Sequence, residues 1–193
     1  MPELTLNTLK ALSDSLTIDH SLDLHSAEHR LAAVLILVYQ DNDELHIILT
    51  RRTNNLPHHA GQISFPGGSI DPSDPDPVFT ALREAREEVA LEADLVNVLG
   101  ILDVILLPSG FAVAPVLAVA ESQPDLQANP DEVEEIFSIP LSLVCDLTQY
   151  SEDFLIRDGQ RRDFYVLNHG DYEIWGATAN MLRSLAIFIA KQS

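Results

Sequence analysis

The fold prediction rests on the stretch Leu82-Arg83-Glu84-Ala85-Arg86-Glu87-Glu88-Val89, because its residues repeat with helical spacing. Its apolar residues fall on one stripe of a helix, and its acids fall on the opposite stripe at i, i+3 and i+4. The apolar stripe is formed by Leu82, Ala85 and Val89, and the acidic stripe by Glu84, Glu87 and Glu88. The pattern predicts an amphipathic helix from Val78 to Leu91 whose apolar stripe faces a core.

The acidic stripe calls for an explanation, because like charges at this spacing repel one another by a few tenths of a kcal/mol per pair, roughly, on an isolated helix. A hard divalent cation such as Mg²⁺ or Mn²⁺ would neutralise the stripe, since it takes oxygen ligands and accepts several carboxylates at once. A helix that simply exposes its acids to solvent would show the same pattern.

The residues upstream favour the cation. Phe65-Pro66-Gly67-Gly68 follows a predicted short strand over residues 61–65 and is joined to the helix by a loop rich in proline and aspartate. Pro66-Gly67-Gly68 is expected to break that strand. Glycine lets a backbone carbonyl approach a ligand closely. The arrangement predicts a strand-loop-helix unit in which one carbonyl and three carboxylates converge on a metal ion.

Composition limits the partners. The chain has 193 residues, with 30 acidic against 11 basic side chains and a formal net charge of -19. Phosphate backbones are bound chiefly through clustered Lys and Arg, so we expect no nucleic-acid partner and no anionic-membrane partner. The longest apolar run, from Leu31 to Val38, falls short of the roughly 20 residues that span a bilayer. With Cys145 as its one cysteine, the chain is expected to be cytoplasmic.

Hydrophobic periodicity predicts one α+β domain over residues 1–193, with an N-terminal helical extension over residues 1–28. The predicted strands cover residues 31–39, 44–50, 61–65, 96–107, 111–120, 132–139 and a hairpin over 154–167. Besides the acidic helix, we predict a short helix over residues 140–147 and a last helix over 177–190. Antiparallel hairpins with a few helices disfavour a doubly wound parallel sheet.

The acidic helix resembles the second half of the Nudix hydrolase box, with Arg83-Glu84-Ala85-Arg86-Glu87-Glu88-Val89-Ala90-Leu91 in register. The box region spans residues 66–91. Ala90 stands where the box has glycine, and the segment from Gly68 to Arg83 is one residue longer than in the box. Acids near the place of the first box glutamate are Asp71, Asp74 and Asp76.

The resemblance implies an α/β/α sandwich with a mixed sheet between helices. It also implies that Arg83 holds the acidic residues in place, and that Mg²⁺ or Mn²⁺ is bound by the Gly68 carbonyl with Glu84, Glu87 and Glu88. Arg83 and the three glutamates are accordingly candidate catalytic residues.

A longer match precedes the box. The stretch from Ile48 to Gly68, including Thr50-Arg51-Arg52-Thr53 and Phe65-Pro66-Gly67-Gly68, resembles the coenzyme A pyrophosphatase branch of the family. This resemblance implies hydrolysis of coenzyme A or acyl-coenzyme A to 4′-phosphopantetheine and adenosine 3′,5′-bisphosphate. Pro57 stands where the branch has Arg or Gln, which leaves open another nucleoside diphosphate derivative, such as an ADP-sugar or a dinucleotide. The intact acids argue against a non-catalytic binding module.

Substrate contacts are predicted within the branch-like stretch. Arg51 and Arg52 alternate at a strand end, so at most one of them faces a cleft in which a guanidinium would grip a diphosphate. His59 matches the branch histidine and is a candidate substrate contact. The partner implied is a small-molecule diphosphate, and homodimer formation stays open.

Two further motifs lie downstream. Glu132, at the start of a predicted strand, is a candidate extra metal ligand or catalytic base. The alternative is an exposed edge strand that carries charge against aggregation. Trp175-Gly176-Ala177-Thr178-Ala179 resembles a motif near the end of the same branch, and we expect it to start the last helix and to serve packing.

Overall fold

The computed structural model describes residues 4–16, 29–54, 61–157 and 159–192. The helices are α1 (Leu6–Ala11), α2 (Pro77–Val89), α3 (Leu141–Cys145) and α4 (Gly176–Gln192). The larger sheet contains β1 (Arg30–Asp41), β2 (Glu44–Arg52), β3 (Ile63–Ser64), β4 (Gly67–Ser69), β5 (Asn97–Ile101), β6 (Ile105–Leu106), β7 (Phe111–Ala120) and β8 (Val133–Pro140). The smaller sheet contains β9 (Tyr150–Arg157), β10 (Gln160–His169) and β11 (Tyr172–Trp175).

The larger sheet is mixed and is built around β1. Along one edge β1 pairs in parallel with β7, from Arg30 opposite Phe111 to Tyr39 opposite Ala120. Along the other edge it pairs antiparallel with β4 and then with β2. The far edge of β2 is covered by antiparallel β8. These pairings confirm the α+β class and the mixed sheet.

Helices cover both faces of this sheet, which explains the continuous apolar run in β1. Leu35 and Leu37 belong to the apolar cluster that α2 closes with Ala81, Ala85 and Val89. Ile36 and Val38 belong to a second cluster with α1 and α4, on the opposite face because side chains alternate along a strand. All four β1 side chains are almost completely buried, and each contributes about 1.5–3 kcal/mol of hydrophobic stabilisation. The α/β/α sandwich is thereby confirmed.

Local capping sets the bounds of α2. The Asp76 side chain accepts a hydrogen bond from the Phe79 backbone N–H at 2.8 Å, and Pro77 occupies the first turn, where its missing N–H costs nothing. At the other end Ala90 adopts the left-handed conformation, with φ of +56°. The helix therefore begins one residue earlier and ends two residues earlier than its apolar periodicity predicts.

Several sequence predictions need correction. The predicted strand over 61–65 is confirmed as β3 but shortened, and Gly67 and Gly68, expected in a break, pair with β1 as part of β4. Gly67 permits this pairing because a Cβ there would lie 2.5 Å from the carbonyl oxygen of Ala33. The strand predicted over 96–107 divides into β5 and β6, and β11 was not predicted. Of the N-terminal extension, residues 1–3 and 17–28 lie outside the described residues.

Among the described residues, no helix combines the length and apolar character needed to cross a membrane.

Candidate active site

The acidic side chains of α2 lie at very different depths. Glu87 is 54% exposed, Glu84 is 17% exposed and Glu88 is 2% exposed. The alternative of a helix that simply exposes its acids to solvent therefore does not hold for Glu88. Helical spacing assigns a residue to a side of the helix, whereas burial depends on the loop and strand that cover that side.

Glu84 lies against the backbone of Gly68. A Cβ at position 68 would lie 2.4 Å from both Cδ and Oε1 of Glu84, so glycine leaves the space in which this carboxylate sits. Burial raises the pKa of Glu84 against the lowering effect of Arg83, and the nearby charges of Glu87 and Glu132 also raise it. The predicted approach of the glycine loop to the acidic helix is present.

Glu88 is enclosed by β2 and β4. Its carboxylate accepts hydrogen bonds from the Gly67 backbone N–H and from Nη1 of Arg52, each at 3.3 Å. Burial raises the pKa of Glu88 to about 7 even though Arg52 and the Gly67 N–H both favour the charged form. A carboxylate whose pKa lies near neutrality in a partly polar cleft is typical of functional sites.

Arg83 bridges the outer acids. Its Nη1 lies 2.9 Å from Oε1 of Glu84 and donates a hydrogen bond to Glu87 at 3.3 Å. Arg83 thus contacts both Glu84 and Glu87, and its role in holding them in place stays a prediction.

Glu132 reaches the same region from the loop that follows β7. The sequence predicts a strand that begins at Glu132, whereas β8 begins at Val133 and Glu132 lies in the turn just before it. The backbone carbonyl of Glu132 accepts a hydrogen bond from the Thr53 N–H at 3.0 Å. The loop is tied to the end of α2 by the Asn129 N–H, which donates to the Glu88 carbonyl at 2.8 Å. Glu132 is near enough to contribute to the raised pKa of both Glu84 and Glu88.

The neighbouring arginines face different surroundings, as their alternation predicts. Arg52 contacts Glu88, whereas Arg51 pairs with Glu135 and lies over the Tyr172 ring, 5.6 Å from its centroid. The Tyr172 hydroxyl donates to the same Glu135 carboxylate at 2.7 Å. Arg52 is therefore the arginine of this pair that lies beside the acidic side chains of α2. His59 and Pro57 lie outside the described residues.

The chain matches known proteins in both sequence and fold. A family model described as the NUDIX domain matches residues 29–158. The chain belongs to the Nudix hydrolase family. The Nudix hydrolase NudL of Yersinia pestis (strain Pestoides F), named as uncharacterized, is 40% identical over 161 residues, which cover 83% of this chain and 80% of NudL. NudL of Yersinia pseudotuberculosis serotype O:1b has the same identity and coverage.

Solved structures show the same fold. An Ap4A hydrolase from C. elegans matches with a TM-score of 0.56 and 18% identity, over 83% of this chain and 98% of that one. The Nudix hydrolase RenU of M. smegmatis matches with a TM-score of 0.52 and 23% identity, over 62% of this chain and 74% of that one.

Nudix enzymes generally use divalent metals such as Mg²⁺ or Mn²⁺. Here the donor set fits such an ion, because the Gly68 backbone and the α2 carboxylates supply hard oxygen ligands and glycine leaves room at Glu84. In the described part of the chain, no three acidic, histidine or cysteine side chains already converge to hold an ion. An ion would have to take over carboxylate oxygens that Arg83 and Arg52 contact in this structure.

Proposed function

We propose that this Nudix hydrolase cleaves the diphosphate bond of coenzyme A or acyl-coenzyme A, giving 4′-phosphopantetheine and adenosine 3′,5′-bisphosphate. The observation that carries the hydrolytic part is the meeting of the Gly67-Gly68 backbone with Glu84 and Glu88. In this reaction water attacks one phosphorus, the bond from that phosphorus to the bridging oxygen breaks, and the leaving phosphate keeps the bridging oxygen and its electron pair.

Gly68, Glu84, Glu87 and Glu88 would hold Mg²⁺ or Mn²⁺ in this proposal. When bound, such an ion stabilises negative charge on the phosphate oxygens and lowers the pKa of water near it. The need for a cation also follows from charge, because a chain of net charge -19 would otherwise repel a polyphosphate.

The remaining steps belong to side chains of the chain itself. Glu84 or Glu132 would orient the attacking water and accept its proton, since the two carboxylates lie close enough for the charge of Glu132 to raise the pKa of Glu84. Arg52 would donate to a phosphate oxygen with the fork geometry of its guanidinium, from a position where it also contacts Glu88.

Support for coenzyme A comes from the branch-like stretch. Residues 48–54 run along β2 to Arg52, and residues 61–68 return through β3 to the glycine loop, so the described parts of this stretch border the acids. Pro57 supports the second candidate, a diphosphatase for another nucleoside diphosphate derivative.

The test is a substrate panel with purified protein and either Mg²⁺ or Mn²⁺. Coenzyme A, acyl-coenzyme A, ADP-ribose and NADH are incubated separately, and products are identified by mass spectrometry. We expect the fastest release from coenzyme A or its acyl form. Faster hydrolysis of ADP-ribose would instead favour the second candidate, and no release from any diphosphate derivative would overturn both.

Variants test the assignment of the acids. Glu87→Gln is expected to lose most activity, whereas Glu92→Gln, at an exposed residue just beyond α2, keeps it. Full activity of Glu87→Gln would remove Glu87 from the proposed metal site.

A further inference from the structure

The hairpin formed by β9 and β10 exposes two large apolar side chains towards its turn. Phe154 is 48% exposed and Ile156 is 71% exposed. Because side chains alternate along a strand, both lie on the same face of β9 as Tyr150. Tyr150, farther from the turn, packs against the core beside its pairing partner Leu167, which is fully buried. The core-facing side of the hairpin therefore extends past the core and stays apolar where solvent reaches it.

Strand β9 also forms an edge of the smaller sheet. The strand order is β11-β10-β9, and β10 pairs with one side of β9 from Tyr150 to Arg157. Within residues 4–16, 29–54, 61–157 and 159–192, no strand pairs with the other side of β9. An edge strand presents a row of backbone N–H and C=O groups that can pair with a further strand.

Charge is distributed unevenly along this hairpin. The exposed acids Glu152 and Asp153 lie away from the turn, whereas Arg161 and Arg162 lie near it. Asp163 offsets part of the basic charge, since it accepts from Nε of Arg161 at 2.7 Å, but the Arg161 side chain is still 64% exposed. Charged side chains on an edge strand usually discourage pairing. Here an antiparallel copy of the hairpin would set the acidic end of each copy beside the basic end of the other.

Symmetry decides which side chains meet in such a pair. A two-fold axis perpendicular to the sheet relates two identical antiparallel strands, so the same face of both copies lies on the same side. A pair centred on Phe154 sets the two Phe154 side chains next to each other and Glu152 opposite Ile156 of the second copy. Since Arg161 is opposite Ile156 within one copy, Glu152 and Arg161 of the second copy lie in one row, roughly 10 Å apart at Cα. Their long side chains can cover this distance together.

We propose that the outer edge of β9 pairs antiparallel with the outer edge of β9 in a second copy of this chain, so that the two three-stranded sheets become one. The occupant is a second copy because one strand supplies both the open edge and the two charged ends that match when the strand is reversed. Such a contact closes on itself and gives a dimer. It leaves the acids of α2 untouched and is independent of the proposed function.

The first test is the mass of the full chain by sedimentation velocity over a wide range of protein concentration. We expect wild type to form a dimer that dissociates on dilution. Ile156→Glu is expected to weaken the dimer about tenfold or more, because it removes an apolar contact and sets an acid opposite Glu152 of the second copy. The matched control is Leu106→Glu in β6 of the larger sheet, where the leucine is 62% exposed, and it is expected to dimerise like wild type.

A charge exchange tests the antiparallel arrangement. Glu152→Arg and Arg161→Glu are each expected to weaken the dimer, because each sets like charges beside one another across the pair. The double variant is expected to recover most of the wild-type affinity. Within one chain Glu152 is opposite Tyr165 and Arg161 is opposite Ile156, four strand positions away, so recovery reports a contact between copies. Thermal unfolding of each variant checks that the chain is folded.

Three outcomes would overturn the proposed pairing. A wild-type chain that stays monomeric at every concentration would leave the open edge of β9 to a strand of another protein. A dimer that Ile156→Glu and Leu106→Glu affect alike would lie on another surface. A double variant that dimerises no better than either single variant would show that the acidic and basic ends do not meet across the pair.

Discussion

The position of a Cβ on Gly68 lies 2.4 Å from Cδ of Glu84, which is closer than any unstrained contact between these atoms. The carboxylate of Glu84 on α2 therefore occupies the space that Gly68 in β4 leaves free. Since β4 is itself held by pairing with β1, the backbone cannot retreat without breaking the sheet. A side chain at position 68 would have to displace the carboxylate.

Gly68→Ala is expected to weaken Mn²⁺ binding and diphosphatase activity about 10- to 100-fold, the range found when the support of a metal ligand is lost. The methyl group would push Glu84 out of its place. Gly110→Ala is the control, because a Cβ there meets nothing within 4 Å although its φ of +83° disfavours alanine. Both variants lose stability, but if both also lost the same Mn²⁺ affinity, general backbone strain would explain the result.

The burial of Glu88 should make the free energy of unfolding of the metal-free chain depend on pH. Its pKa is raised by burial from 4.5 to about 7, so the folded state holds the proton more tightly than the unfolded state. The stabilisation is complete below about pH 4.5 and is lost as the pH rises to about 7, a difference on the order of 3 kcal/mol at about 1.4 kcal/mol per unit. In EDTA, the free energy of unfolding of Glu88→Gln should fall less than that of wild type as the pH is raised from 5 to 8.

Urea unfolding at the two pH values measures this difference. Glu92→Gln, an exposed acid in the same part of the chain, is expected to follow wild type. If Glu88→Gln lost as much stability as wild type over this range, the burial of a titrating Glu88 would not govern the pH dependence.

The two arginines at the end of β2 are expected to differ in function. Arg52→Lys keeps a cation beside Glu88 but loses the guanidinium fork, and a hydrogen bond to a charged group contributes about 1.5–3 kcal/mol. We therefore expect kcat/KM for the preferred substrate to fall about tenfold or more. Arg51→Lys is the matched control, since Arg51 pairs with Glu135 and Tyr172; an equal loss in both variants would contradict the assignment.

These residues show what the sequence can predict about the site and what it cannot. Helical spacing identifies α2 and its apolar stripe, and strand alternation separates Arg51 from Arg52, because both patterns are local. The burial of Glu88 was missed, since it depends on Arg52 and Gly67, which are 36 and 21 residues away in sequence. The burial of Asp74 against Arg83 was likewise not predicted, because hydrogen-bond donors on α2 distinguish it from Asp71 and Asp76. Strand β11 is short and gains its order by pairing with β10.

Thr178, in the Trp175–Ala179 motif, is expected to hold α4 to the larger sheet as well as to start the helix. Its hydroxyl is buried and donates to the Ile63 carbonyl of β3 at 2.8 Å, so α4 is tied to the strand that leads into the glycine loop. Thr178→Val keeps the shape but leaves that carbonyl without this donor, and should lower the free energy of unfolding by about 1–3 kcal/mol. Thr148→Val, at an exposed hydroxyl bonded to Asp146, should cost much less; equal losses by urea unfolding would argue against the tie.

A glycine in place of Ala90 is expected to stabilise the folded chain. It ends α2 with φ of +56° and ψ of +31°, where its Cβ crowds the following carbonyl, and it stands at the place of the box glycine. The left-handed conformation costs a non-glycine residue roughly 1–2 kcal/mol, while glycine loses more entropy on folding, by about 0.5–1 kcal/mol. Ala90→Gly is therefore expected to raise the free energy of unfolding by roughly 0.5–1 kcal/mol, measured by urea unfolding. Ala190→Gly makes the same change at an exposed position in right-handed α4 and should lower that free energy by a similar amount, so the prediction is contradicted if both variants are destabilised alike.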